Sequence, residues 1–169
     1  QILVGTQTPK VLGTITNTVS IGQRLTLYGM LDFKRGQKIL NANVANACAF
    51  GVCEARHFPE RYSTEYLAGI APSSTTAGVQ DQFIQDASFV KLREISATYR
   101  LPEQWVSRAG IGTATLTVAG RNLATWTDFV GPDPEVRYTG VPPAAGSVPQ
   151  DQALLPALTQ FVVSLNLGF

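Results

Sequence analysis

The sequence predicts a mainly β chain: about five antiparallel strands in an open sheet, interrupted by two long loops and one or two short helices. Three observations carry this reading. Apolar and polar residues alternate with period two in separate segments, as strands with one apolar face do. Charged residues make up 15%, below the roughly one quarter expected of a soluble domain, while Thr, Gly, Pro and Asn are plentiful. Six of the ten prolines fall between residues 123 and 158, and proline, which has no N–H for a ladder, is confined to loops, edges and strand starts.

Residues 11–19 read as a Thr-rich strand, joined through a short turn around Ile21-Gly22-Gln23 to a second strand over 24–34. In the second, Leu25, Leu27, Leu31 and Phe33 share one face, with Thr26, Tyr28, Met30 and Asp32 opposite. Residues 35–87 form the first long loop, with helices expected near 41–48 and 60–67. The strand over 88–100 changes phase: Val90 and Leu92 share a parity, and Ile95, Ala97 and Tyr99 take the other. A bulge near Arg93-Glu94 restores a single apolar face, because one extra residue flips everything after it. The strand stops at Pro102, and 102–106 reads as a helical turn. A strand over 112–122 sets Ala114, Leu116 and Val118 against Thr113, Thr115 and Thr117. After the second long loop, 123–158, the strand 159–169 places Phe161, Val163, Leu165, Leu167 and Phe169 on one face, the candidate interaction stripe.

Length and composition bound the function. A chain of 169 residues predicts a single β domain spanning 1–169. Thirteen basic and twelve acidic residues nearly cancel and are dispersed, so no nucleic-acid partner is expected. No run reaches the ~18 apolar residues of a spanning helix. Gln1 begins no signal peptide, lacking a basic start and an apolar core; either a leader preceded it or the chain is a piece of something longer.

Catalytic chemistry finds no constellation, and no enzymatic role, cofactor or metal is expected. His57 is the sole histidine, with no serine on a strand-to-helix elbow and no Gly-rich phosphate loop. Glu60 and Glu65 read as solvated helix carboxylates, and Asp128, Asp133 and Glu135 as Pro-flanked turn residues rather than calcium ligands. Cys48 and Cys53, with four residues between them, form a loop disulfide in an oxidising compartment or stay as thiols in a reducing one. A metal site with His57 lacks a fourth ligand at zinc-like spacing. Trp105, Trp126 and Tyr138 read as partly buried loop anchors, ahead of membrane-interface aromatics or sugar-stacking residues.

Several motifs resemble one family. Asp86-Ala87-Ser88-Phe89-Val90-Lys91-Leu92-Arg93-Glu94, followed by Tyr99-Arg100-Leu101-Pro102, is similar to a signature of SusC/RagA-type TonB-dependent outer-membrane transporters. Ala119-Gly120-Arg121-Asn122-Leu123-Ala124-Thr125-Trp126 resembles a strand end of that family, and Gly131-Pro132-Asp133-Pro134-Glu135-Val136 one of its loops. Gly5 to Pro9 and Lys34 to Asn41 resemble the preceding hairpin and its outer loop, and Phe169 the terminal aromatic of outer-membrane barrels. The resemblance covers nearly the whole chain, but only the C-terminal barrel segment of the family. It implies a barrel-derived sheet in the cell envelope of a Gram-negative-type bacterium, in the periplasm or outer membrane, where Cys48 and Cys53 are expected to pair.

For a full-length member the family implies import of glycans or peptides, energised through TonB, with a surface lipoprotein as lid. Such transporters close about 22 strands, and the smallest barrels about 8, so about five cannot close. The open sheet leaves two edges and an apolar face to be covered by protein partners or by the remainder of a barrel. Arg93 and Glu94 in mid-strand are costly against lipid, which predicts a pore-side or interface position. With 169 residues as the whole chain, the favoured expectation is a non-enzymatic structural or interaction subunit, docked on a larger membrane-associated envelope complex and stabilising it. The alternative is the C-terminal barrel segment of a SusC/RagA-like transporter.

Overall fold

The computed structural model describes residues 5–70, 81–135 and 155–169. The described residues fall into two compact units whose segments alternate along the sequence: 5–11, 34–70, 81–89, 127–135 and 155–156 in one, 12–33, 90–126 and 157–169 in the other.

The second unit is built on an open antiparallel sheet. Its strands are β1 (Val11–Ile21), β2 (Leu25–Arg35), β5 (Phe89–Arg100), β6 (Thr113–Thr127) and β7 (Gln160–Gly168), in the spatial order β1-β2-β5-β6-β7. Gly22, at φ 62°, takes the left-handed conformation that the tight β1–β2 turn requires and that glycine adopts without strain. Gly13 serves packing instead: a Cβ there would lie 2.7 Å from the Phe33 ring. The β6–β7 register runs from Thr113 opposite Gly168 to Arg121 opposite Gln160. All five strands expected from the sequence are present, and β1 extends to Ile21.

The long β2–β5 connection holds elements too short for periodicity to reveal. A two-stranded ribbon pairs β3 (Lys38–Leu40) with β4 (Ile84–Asp86). Its alternation feeds two small cores: Leu40 packs with Cys48, Cys53, Ala55, Ile70 and Phe83, while its neighbour Ile39 packs with Ala87 and Phe129. Helices α1 (Ala42–Ala49), α2 (Glu54–His57) and α3 (Thr64–Ile70) surround the first core. Asn41 starts α1 because its side-chain oxygen accepts the Val44 N–H at 3.0 Å, satisfying an otherwise orphaned donor. Its Nδ2 donates to the Val130 carbonyl. Expected helices at 41–48 and 60–67 correspond to α1 and, displaced toward the C-terminus, α3; α2 and the ribbon are additional. The turn after Pro102 is α4 (Glu103–Val106).

One boundary differs more. The strand expected to end at 122 runs to Thr127. Asn122 sits at φ 51° inside it, in the left-handed region that Asn tolerates better than most residues. That irregular residue interrupts the alternation without ending the strand.

Candidate functional site

The chemistry of this chain lies in the two faces of its sheet. On β6 and β7 the register stacks Leu116 against Leu165, Val118 against Val163 and Gly120 against Phe161. The opposite face pairs Thr115 with Asn166 and Thr117 with Ser164. The Thr117 and Thr98 hydroxyls, 3.0 Å apart, carry the polar face onto β5, and Thr14 donates to Asp32 at 2.6 Å to carry it across β1 and β2. On the apolar side Ile15, Val19 and Ile21 of β1 and Ile95 of β5 stay exposed. So do all five residues of the stripe, from Leu167 at 44% to Phe161 at 78% and Phe169 at 94% exposed.

Two ion pairs lie on the polar face of the sheet. Arg93 Nε donates to Asp32 Oδ2 at 2.8 Å, in a partly buried pair. Arg121 Nε donates to Glu94 Oε2 at 3.0 Å. Consecutive residues of a regular strand point to opposite faces, yet Arg93 and Glu94 both reach partners on the polar face. This shared orientation is what the one-residue phase change anticipated there produces. It also keeps both charges off the apolar face. The sequence marked Arg93 and Glu94 as pore-side candidates but not their partners, because partner choice depends on strand order.

Connection lengths sort the two ends of the sheet. β1–β2 and β5–β6 are joined at one end by short connections; β2–β5 and β6–β7 are joined at the other by long ones. Shorter connections on one side and longer ones on the other, beside an apolar band and a polar face, resemble the arrangement of transmembrane β-barrel wall.

The remaining candidates are dispersed. Cys48 and Cys53 are joined in the structure, their Cα atoms 4.6 Å apart, with Phe50 and Val52 exposed between them. His57 ends α2, Glu60 lies in the following turn and Glu65 in the first turn of α3. Asp133 is buried and its carboxylate accepts the Glu135 N–H at 2.8 Å, while Glu135 pairs with Lys34 at 3.3 Å. The acidic turn thus has a local structural use. Among the described residues no group of three His, Cys, Asp or Glu could hold a metal, and no helix is long and apolar enough to cross a membrane. Trp105 and Trp126, expected as partly buried loop anchors, are 67% and 56% exposed and lie on α4 and β6; Tyr138 lies outside the described residues.

The fold and its faces resemble a segment of β-barrel wall, with a five-strand antiparallel sheet that does not close on itself. No protein-family model matches the chain. It is 27% identical over 152 residues to TonB-dependent receptor P3 of Formosa agariphila, covering 89% of this chain. It is 24% identical over 147 residues to TonB-dependent receptor P26 of the same organism, covering 79%. In each case it spans 14% of the relative's length. Solved structures of the RagAB peptide transporter, and of the RagAB peptide importer in its open-open state, superpose with TM-scores of 0.70 and 0.71 at 21% and 20% identity. These superpositions cover 99% and 98% of this chain and 18% of theirs, and they show the shared fold. The chain resembles a barrel segment of SusC/RagA-type TonB-dependent receptors. The relatives are receptors and transporters rather than enzymes, and such proteins reside in the outer membrane of Gram-negative-type bacteria, in agreement with the expected envelope localisation.

Proposed function

We propose that this chain is the C-terminal barrel segment of a SusC/RagA-like TonB-dependent outer-membrane transporter importing glycans or peptides. Its five strands supply wall: the apolar face meets lipid and the polar face turns toward the pore. The carrying observation is the division of the sheet, with the stripe Phe161, Val163, Leu165, Leu167 and Phe169 exposed on one side and the Asp32–Arg93 and Glu94–Arg121 pairs on the other. Strands of 9 to 15 residues reach or exceed the ~9–11 residues that a tilted transmembrane strand needs. The edges of β1 and β7 pair with further strands of the same barrel, removing the open edges that an isolated sheet leaves. The long connections then face the exterior, where Cys48 and Cys53 form a lasting disulfide and a surface lipoprotein closes over the mouth.

The favoured expectation from sequence, a separate structural subunit docked on a larger envelope complex, is supported by the same open face and edges. The relatives favour the transporter segment over it. Spin labels placed singly at positions 162 to 167 of the full-length protein in vesicles test the reading. Oxygen accessibility should peak at 163, 165 and 167 and fall at 162, 164 and 166. Uniformly low accessibility, with all six sites shielded by protein, would favour the docked subunit.

A further inference from the structure

At the short-connection end of the sheet, an open cleft of ≈ 340 Å³ is lined by Gln23 and Arg24 from the β1–β2 turn and by Arg100 to Gln104 from the end of β5 and the start of α4. The Arg100 N–H donates to the Arg24 carbonyl at 2.8 Å, so the two arginines are cross-strand neighbours. Alternation on both strands places them on the polar face, in the rows of Thr26 and Thr98. Like charges directly opposite each other are destabilising. Glu103 reaches Arg100 only at 3.6 Å, with both side chains mostly exposed, which makes that pair weak. Arg24 has no carboxylate partner among the described residues.

We propose that this cleft binds a carboxylate of an acidic peptide segment, held between the guanidinium groups of Arg24 and Arg100. Guanidinium forks match carboxylate geometry bidentately, and the Gln23 and Gln104 amides add donors. Two arginines against one glutamate leave a single excess positive charge, which suits a monoanionic carboxylate better than a phosphate dianion. The position on the polar face separates the cleft from the apolar band and so argues against a phospholipid headgroup. The proposal rests on the barrel-segment reading, under which this end is the periplasmic rim of the pore and the segment is imported peptide on its way out.

The test uses the full-length protein in detergent, with N-acetylated hexaglutamate as the probe and N-acetylated, C-amidated hexaglutamine as its neutral counterpart. In Arg24→Gln/Arg100→Gln, hexaglutamate affinity should fall about tenfold or more, since hydrogen bonds to charged groups are lost. Hexaglutamine binding should stay unchanged, and Arg24→Lys/Arg100→Lys should give an intermediate loss. Added salt should narrow the difference between wild type and the Gln variant. Equal hexaglutamate affinity in wild type and variant would overturn the proposal. So would loss of co-purifying phosphatidylglycerol with peptide binding intact, which would make this a lipid site. If the double variant fails to fold, Arg24→Gln alone, at a turn position, carries the test. Absence of the wild-type protein from the outer-membrane fraction would strike the barrel reading instead, and is measured separately.

Discussion

Adjacent residues of β7 offer a sharp test of which face meets hydrocarbon. Leu165 stands near the middle of the strand, opposite Leu116, and is 58% exposed; Ser164 stands on the other face, opposite Thr117. Arginine on the lipid face of a transmembrane barrel costs about 2–4 kcal/mol at the bilayer midplane and about 0–1 near the interfaces. Leu165→Arg in the full-length protein should therefore lose about 2–4 kcal/mol, or roughly 30-fold or more in the folding equilibrium. Ser164→Arg, on an aqueous polar face, should stay within about 0.5 kcal/mol, as exposed substitutions usually do. Urea unfolding of both variants in lipid vesicles, read by heat-modifiable gel mobility and Trp fluorescence, gives the difference directly. Equal costs at the two positions, or a greater cost at Ser164, would refute the assignment of faces.

Three further outcomes are expected. Peptide mapping without reductant should find Cys48 and Cys53 in one cross-linked peptide, and Cys48→Ser/Cys53→Ser should destabilise the α1–α2 region by about 2 kcal/mol, the loop-closure value for so short a ring; free alkylation of both thiols in native material would contradict this. A double-mutant cycle on Asp32→Ala and Arg93→Ala should give a coupling of about 1 kcal/mol, above the typical value for exposed pairs because both side chains are about four-fifths buried; additive effects would remove the pair from the account. Burial raises the Tyr62 and Tyr66 phenols above their usual value of 10.0, with Glu54 adding to the effect at Tyr62. A phenol whose folded pKa lies above its unfolded one contributes stability that is present below about pH 10 and lost as pH rises through the folded value; Tyr62→Phe/Tyr66→Phe should flatten the alkaline end of the stability profile, and an unchanged profile would contradict the shifts.

The strands were legible because alternation is local: Leu25 to Phe33 and Phe161 to Phe169 each declare a face without reference to any other segment. The phase change at Arg93-Glu94 was legible for the same reason. The β3–β4 ribbon was not, since three residues carry too little periodicity and Lys38 meets Asp86 only across the whole loop. The end of β6 was misplaced because Asn122 breaks the pattern within the strand. Ion pairs such as Asp32–Arg93 and the apposition of Arg24 with Arg100 depend on β2 lying beside β5, which alternation does not specify. The five strands of the sheet lie beside their sequence neighbours among the five, so the order is simple, but the ribbon separates β2 from β5 along the chain.

The central claim is that this segment is part of a longer barrel, and the intact mass of the native protein tests it most directly. Outer-membrane protein captured with an antibody against residues 155–169 and measured whole should be several times heavier than 18.1 kDa, since the chain spans 14% of the receptors it matches. A native species of 18.1 kDa, recovered within a larger envelope complex, would contradict the account and restore the separate docked subunit.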